Sequence, residues 1–205
     1  PTGTASAAGF TDTTSTDVDC IKMHGITTGV TATTYEPTAN VPRWQMALYL
    51  TRTATVTGHT LGSGADQGFT DISGYSAAIQ TAINQLKQLT VTTGTTATTY
   101  SPDDNVTREQ MAMFVNRLLA LTIVGPGGNT QGSTTLKIVG DAGDVYNYTD
   151  IDSGSVTVEA SNAIKELFTL NIHDGVSATT FSPLADMTRA AMATFLEAAL
   201  DHTNV

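Results

Sequence analysis

The chain has 205 residues, 40% of them hydrophobic, enough for one packed domain or an array of small units. Only nine Lys and Arg stand against nineteen Asp and Glu, a net charge of −10, so there is no polybasic patch and the composition argues against nucleic acid as a partner. No apolar run approaches the ~20 residues of a membrane span, and a single cysteine, Cys20, excludes a disulfide framework within the chain.

Residues 1–9 are small and polar and read as a loose N-terminal arm. The opening Pro-Thr-Gly fits a mature end after signal cleavage, and equally an intact start whose initiator Met has been removed. Phe10-Thr-Asp12 opens the first unit, residues 10–53. Its aromatic reads as a core anchor, and its Asp, just before a helix, as a cap or a partner for the helix's positive end. The helix that follows, around Val18 to Met23, is stunted, with Cys20 as a small buried residue on its face. It reverses at Gly25-Ile-Thr-Thr-Gly29. A β-prone run leads to Tyr35, and Pro37 stops regular pairing. A second helix follows, with Met46, Tyr49 and Leu50 on one face, Asn40 as its expected cap and Pro42 tolerated in its first turn.

Residues 54–68 form a Gly/Thr/Ser-rich linker, and the pattern restarts in residues 69–118 with Phe69-Thr-Asp71. A helix from Tyr75 to Leu89 places Ile79, Ala82, Ile83, Leu86 and Leu89 on one face. It reverses over Thr90 to Gly94, and the chain passes Tyr100 and Pro102 to Thr107, which with Gln110 has the form of a capping box. Met111, Phe114, Val115 and Leu118 form the apolar face of the next helix. Residues 119–147 have no counterpart elsewhere and carry two β-prone runs around Gly125-Pro-Gly-Gly128, the pattern of a small hairpin insert or a long covering loop. The third unit, 148–200, runs from Tyr148-Thr-Asp150 through a helix at Val158 to Leu170, a reverse at Asn171 to Gly175, Phe181, Pro183 and an N-capping Thr188 to Met192, Phe195 and Leu196. Residues 201–205 are a tail.

Residues 29–50, 94–115 and 175–196 align without a gap. Gly, Ala-Thr, an aromatic, Pro, Arg and Met-Ala return in the same order at the same spacing, so this is a repeat protein. Thr makes up about a fifth of the chain, an excess that suits an exposed extracellular surface.

Catalytic and metal signatures are absent from the sequence. His24, His59, His173 and His202 are scattered, and His173-Asp174 has no ligand partners at fixed spacing. Asp12, Asp17 and Asp19, and likewise Asp150 and Asp152, lack the Gly and Glu of a calcium loop. Gly125-Pro-Gly-Gly128 is followed by no phosphate-loop Lys, and there is no nucleophile elbow. No enzyme, cofactor or metal is inferred.

The order aromatic-x-Asp, helix, Gly-Ile-x-x-Gly, aromatic-x-Pro, Thr-Arg-x-x-Met-Ala resembles the S-layer homology repeat over Phe10 to Thr53, Phe69 to Leu118 and Tyr148 to about Leu200. The resemblance implies a mainly α fold of three tandem helix-loop-helix repeats in a pseudo-threefold arrangement, with short β segments in the loops. It implies non-covalent attachment to a cell-wall polysaccharide, often pyruvylated, bound in grooves between repeats. The family signature Thr-Arg-Ala-Glu falls on Pro-Arg-Trp-Gln, Thr-Arg-Glu-Gln and Thr-Arg-Ala-Ala, so Arg43, Arg108 and Arg189 take the sugar-binding position and the final Glu is replaced each time. An Arg fork beside free backbone N–H groups at a helix start suits a carboxylate. The alternative role is an ion pair with Asp12, Asp71 or Asp150. Trp44 either stacks on a sugar face or completes packing. Glu109 beside Arg108, and the turn glycines Gly29, Gly94 and Gly175, complete the candidate glycan-binding set.

Two functions follow as expectations. One is a non-catalytic module anchoring its protein at the cell surface through a polysaccharide. The other is a structural subunit of a larger assembly, a surface layer or a virus particle, using the same fold for contacts with neighbouring subunits.

Overall fold

The computed structural model describes residues 5–122, 146–172 and 175–203. Within them the chain is mainly helical, with six helices in three pairs: α1 (Thr16–Met23) and α2 (Arg43–Val56), α3 (Ala77–Gln88) and α4 (Arg108–Leu121), α5 (Val158–Thr169) and α6 (Arg189–Asp201). The hairpin expected in 119–147 falls largely outside the described residues, as does His173-Asp174.

The helix starts follow the capping residues. Ser15, Thr107, Thr157 and Thr188 each accept a backbone N–H from the residue three positions on, at 3.1–3.5 Å. The capping box at Thr107 is only half formed, because the Gln110 side chain accepts from Arg43 instead. Nor does Asn40 cap α2. Pro42 holds that position without a side-chain bond, and the Asn40 amide donates to Asp186.

The first helix of every pair ends alike. Gly25, Thr90 and Asn171 have φ of 71°, 60° and 57°. In each, the next residue's N–H reaches back five positions, as Ile26 to Ile21, Val91 to Leu86 and Ile172 to Leu167, at 2.8–3.0 Å. This closure satisfies carbonyls that a helix end would leave orphaned.

Asp12, Asp71 and Asp150 do not cap helices. Each carboxylate forks across a distant turn, accepting the N–H of the buried aromatic and of the residue after it: Tyr35 and Glu36, Tyr100 and Ser101, Phe181 and Ser182, all at 2.7–3.0 Å. Glu36, Ser101 and Ser182 have φ of 58°, 54° and 57°. The fork thus holds a left-handed bend that these residues would otherwise avoid. The β-prone runs before the aromatics curl on themselves. Thr96 Oγ1 accepts from the N–H of Thr98 and Thr99, a local bond that competes with strand pairing. The short β segments expected in the loops are accordingly isolated bridges, such as Asn40 with Thr188 and Pro42 with Asn105.

The three pairs close into a ring. The first helix of each pair packs on the second helix of the preceding pair: α3 on α2, α5 on α4, and α1 on α6, which joins the two ends of the chain. The second helices form the centre, with α4 against both α2 and α6. Met46, Met111 and Met192, with Leu50, Val115 and Leu196, are buried there, as the helix periodicity predicts. At the N-terminal end of this bundle a backbone cycle runs through all three repeats: Val41 N–H to Met187 C=O, Val106 to Val41, and Met187 to Val106, at 2.8–2.9 Å. Phe10, Phe69 and Tyr148 are core anchors, packed on Tyr35, Tyr100 and Phe181 with ring centroids 5.4–5.6 Å apart. Gly29, Gly94 and Gly175 lie against the same anchors. A Cβ there would come within 2.4–2.7 Å of the ring.

Candidate functional site

The three signature arginines are buried, with Arg43, Arg108 and Arg189 only 3%, 5% and 4% exposed. Each begins the second helix of its pair and reaches into the next pair around the ring. Arg43 Nε donates to the Tyr100 carbonyl at 2.7 Å, Arg108 Nε to Phe181 at 2.7 Å, and Arg189 Nε to Tyr35 at 2.6 Å. Each guanidinium also lies over the ring it serves, 4.5–4.7 Å from the centroid. Gln110 and Gln45 accept a further N–H from Arg43 and Arg189 at 3.1 and 3.0 Å. Burial, ahead of every other cause, pulls the Arg43 pKa below the ordinary arginine value.

The N–H groups at these helix starts are not free for a ligand. Those of Arg43 and Trp44 donate to the carbonyls of Asp104 and Pro102, those of Arg108 and Glu109 to Ala185 and Pro183, and those of Arg189 and Ala190 to Ala39 and Pro37. The neighbouring repeat's loop occupies the place expected for a sugar carboxylate. The ion-pair alternative is not observed either, since Asp12, Asp71 and Asp150 spend their oxygens on the backbone turns. The Tyr35 and Glu36 N–H groups hold the Asp12 carboxyl below its usual range, with Arg189 adding only a minor part.

One cleft gathers several of the candidate residues. It has a volume of about 260 Å³ and lies between the third and first repeats, with Arg189 on one side. The turn after α1 supplies Thr27, Thr28 and Gly29, and successive turns of α2 supply Trp44, Gln45, Leu48, Tyr49 and Arg52. Thr27 Oγ1 ties this turn to Tyr49 Oη at 3.3 Å and accepts the Gly29 N–H at 3.2 Å. Arg52 Nη1 donates to the Ile26 carbonyl at 3.0 Å. The wall is therefore a fixed arrangement of hydroxyls, an amide, two guanidinium groups and one half-buried indole.

Gly29, Trp44 and Arg189 of the candidate set meet in this cleft; Arg43, Arg108, Glu109, Gly94 and Gly175 do not line it. Glu109 has one carboxylate oxygen buried without a hydrogen bond among the described residues, and burial pushes its pKa up. Arg52, Gln45 and Tyr49 are site residues that motif reasoning does not single out. The available signal for Arg52 is its recurrence as Arg117, nine residues after the signature arginine in each case, with Ala198 in the third copy.

A second groove, about 390 Å³, runs between α4 and α5. Arg117 there is ion-paired with Glu159, and the Asn116 amide donates to Glu166. No group of three or more His, Cys, Asp or Glu is placed to hold a metal among the described residues, and no helix in them is long and apolar enough to cross a membrane.

Residues 68–112 and 147–193 match the S-layer homology domain. Over 165 residues, 80% of its length, the chain is also 28% identical to a protein named endoglucanase from Bacillus sp. (strain KSM-635), and it spans 15% of that protein's length. S-layer homology domains are cell-surface anchoring modules rather than catalytic ones. The matched repeats share with residues 10–53 the aspartate fork, the helix-end closure and the arginine grip described above. The second and third repeats are thus S-layer homology repeats by their match to that family.

Proposed function

We propose that this chain is a non-catalytic anchoring module that holds its protein at the outer cell surface by binding a cell-wall or cell-surface polysaccharide, with the sugar docking in the cleft between the third and first repeats. The cleft itself carries this reading. It sets an indole face beside amide, hydroxyl and guanidinium donors, the mixture of flat apolar surface and converging polar groups that sugar rings require. Arg189 serves twice, gripping Tyr35 and forming part of the cleft wall. Arg43 and Arg108 act indirectly, by fixing the repeats around the ring.

The test is co-sedimentation of the chain with wall sacculi, before and after the attached polysaccharide is stripped. The reading expects pelleting that disappears on stripping and weakens for Trp44→Ala. Failure to pellet with intact sacculi from several sources would overturn it.

A further inference from the structure

The ring of repeats has one joint that no linker spans. α3 follows α2 and α5 follows α4 along the chain, but α1 and α6 are its first and last helices. The joint they form is also built differently. α1 has eight residues where α3 and α5 have twelve. Eight residues after the signature arginine, Asn116 on α4 donates its amide to Glu166 on α5, and the next residue, Arg117, pairs with Glu159. At the matching places α6 carries Glu197 and Ala198. Asp17, two residues after its N-cap as Glu159 is, therefore has no arginine opposite it and accepts from the Thr194 hydroxyl at 2.6 Å.

Thr194, Glu197 and Asp201 lie about one turn apart on α6, so Asp17 docks on a stripe that already holds two carboxylates. Glu197 is half-buried there and has no hydrogen-bond or ion-pair partner among the described residues. Burial, then Asp201 and Asp17, raise its pKa. Cys20 adds no charge, since burial pushes its thiol up to about 11. Lys22, the lysine of α1, lies over the Phe10 ring instead, 4.1 Å from the centroid. His24 ends α1 with Nε2 buried and unbonded among the described residues. Burial lowers its pKa, so its charging in acid acts against docking. Both walls of the cleft continue from this joint: the turn Thr27 to Gly29 follows α1, and Arg189 begins α6.

We infer that the α1–α6 joint is a proton-operated latch on the cleft: Glu197 closes it when protonated and loosens it when ionised, so the chain holds polysaccharide more tightly in mild acid. The effect on the sugar rests on the polysaccharide reading above; the latch itself does not. By linkage, a carboxyl held above its ordinary value in the docked state favours docking fully below the undocked value of about 4.3. That advantage is lost as pH rises through the docked value.

The full chain is examined by hydrogen exchange at pH 4.5, 6 and 7.5, corrected for intrinsic amide rates, with α3 as internal reference for α1. The lower limit keeps the Asp12 fork ionised. Protection of α1 relative to α3 is expected to fall about threefold or more as pH rises, and Glu197→Gln to keep high protection throughout. Asp201→Asn, at an exposed position, is expected to diminish the fall by removing one repelling charge. Calorimetric titration with polysaccharide released from sacculi by muramidase reads the cleft. The ratio of wild-type to Glu197→Gln affinity, in which titration of the sugar and of His24 cancels, is expected to drop by about the same factor between pH 4.5 and 7.5. Constant α1 protection in the wild type, an equal fall in Glu197→Gln, or a constant affinity ratio would overturn the inference. No binding at any pH would instead overturn the polysaccharide reading, while the exchange data still decide the latch.

Discussion

Arg189 and Tyr35, 154 residues apart, exchange two hydrogen bonds: Arg189 Nε donates to the Tyr35 carbonyl at 2.6 Å, and the Tyr35 hydroxyl donates to the Arg189 carbonyl at 2.7 Å. This pair joins the last repeat to the first. The same exchange joins Arg43 with Tyr100. In the middle joint Arg108 Nε donates to the Phe181 carbonyl, and Phe181 has no hydroxyl with which to return the bond.

Removing Arg189 should therefore act on stability before it acts on binding. Arg189→Ala leaves the buried Tyr35 carbonyl unsatisfied and should cost about 3 kcal/mol, whereas Tyr35→Phe, which removes one hydroxyl, should cost about 1 kcal/mol. Urea unfolding at constant m reads both. Equal, small effects would show that the joint is not held by this exchange.

Gly94 combines a φ of 92° with a Cβ position 2.6 Å from Phe69 Cε1. Gly94→Ala should cost about 2–4 kcal/mol, from left-handed strain together with overpacking. Gly74, with no atom within 4 Å of its Cβ position and no positive φ, is the control, and Gly74→Ala should be close to neutral. Thermal unfolding of the two variants compares them directly.

The repeat pattern was legible in the sequence because three copies align without a gap, and the helix faces, the helix-end reversals and the aromatic anchors follow from that alignment. The partners across repeats were not. An aspartate just before a helix has the same local signature whether it caps that helix or, as Asp12 does, clamps a turn more than twenty residues away. A signature arginine at a helix start reads as an open fork, because the alignment does not reveal that the next repeat's loop fills the space before it. Of the cleft, Gly29, Trp44 and Arg189 were visible as motif residues. Arg52 lies a helical stretch beyond the motif; its recurrence as Arg117 is visible in the alignment, but its place in the same cleft as Trp44 is not.

The joint between α1 and α6 should respond to pH with two opposite signs. Burial, then Asp201 and Asp17, raise the Glu197 pKa, so its ionisation opposes folding. That penalty is full above the raised folded value and vanishes below the unfolded value of about 4.3. Asp12 is the reverse case. Its pKa is lowered by the Tyr35 and Glu36 N–H groups, so its contribution is present above an unfolded value of about 3.9 and is lost as pH falls through the folded one. Glu197→Gln should raise the Tm at pH 7 and lose that advantage near pH 4. Asp12→Asn should lower the Tm at pH 7 and flatten the acid limb. Melting curves across pH 2–8 test both, and an unchanged Tm for Glu197→Gln at pH 7 would contradict the assignment.

Cys20 sits in the same joint, 5% exposed, and burial pushes its thiol pKa up to about 11. The native thiol should resist iodoacetamide at pH 8 and react readily once the chain is unfolded in urea. Rapid labelling of the native protein would mean that α1 detaches from α6 far more often than its packing implies.

Trp44 is the only tryptophan, so its fluorescence reports on the cleft without any label. The most direct test of the account is to titrate the native chain with polysaccharide released from wall sacculi and follow that emission. The account predicts a saturable change in Trp44 emission whose midpoint matches the calorimetric affinity and which disappears with stripped wall fragments. Binding detected by calorimetry with no change at Trp44 would place the sugar elsewhere and contradict the central claim.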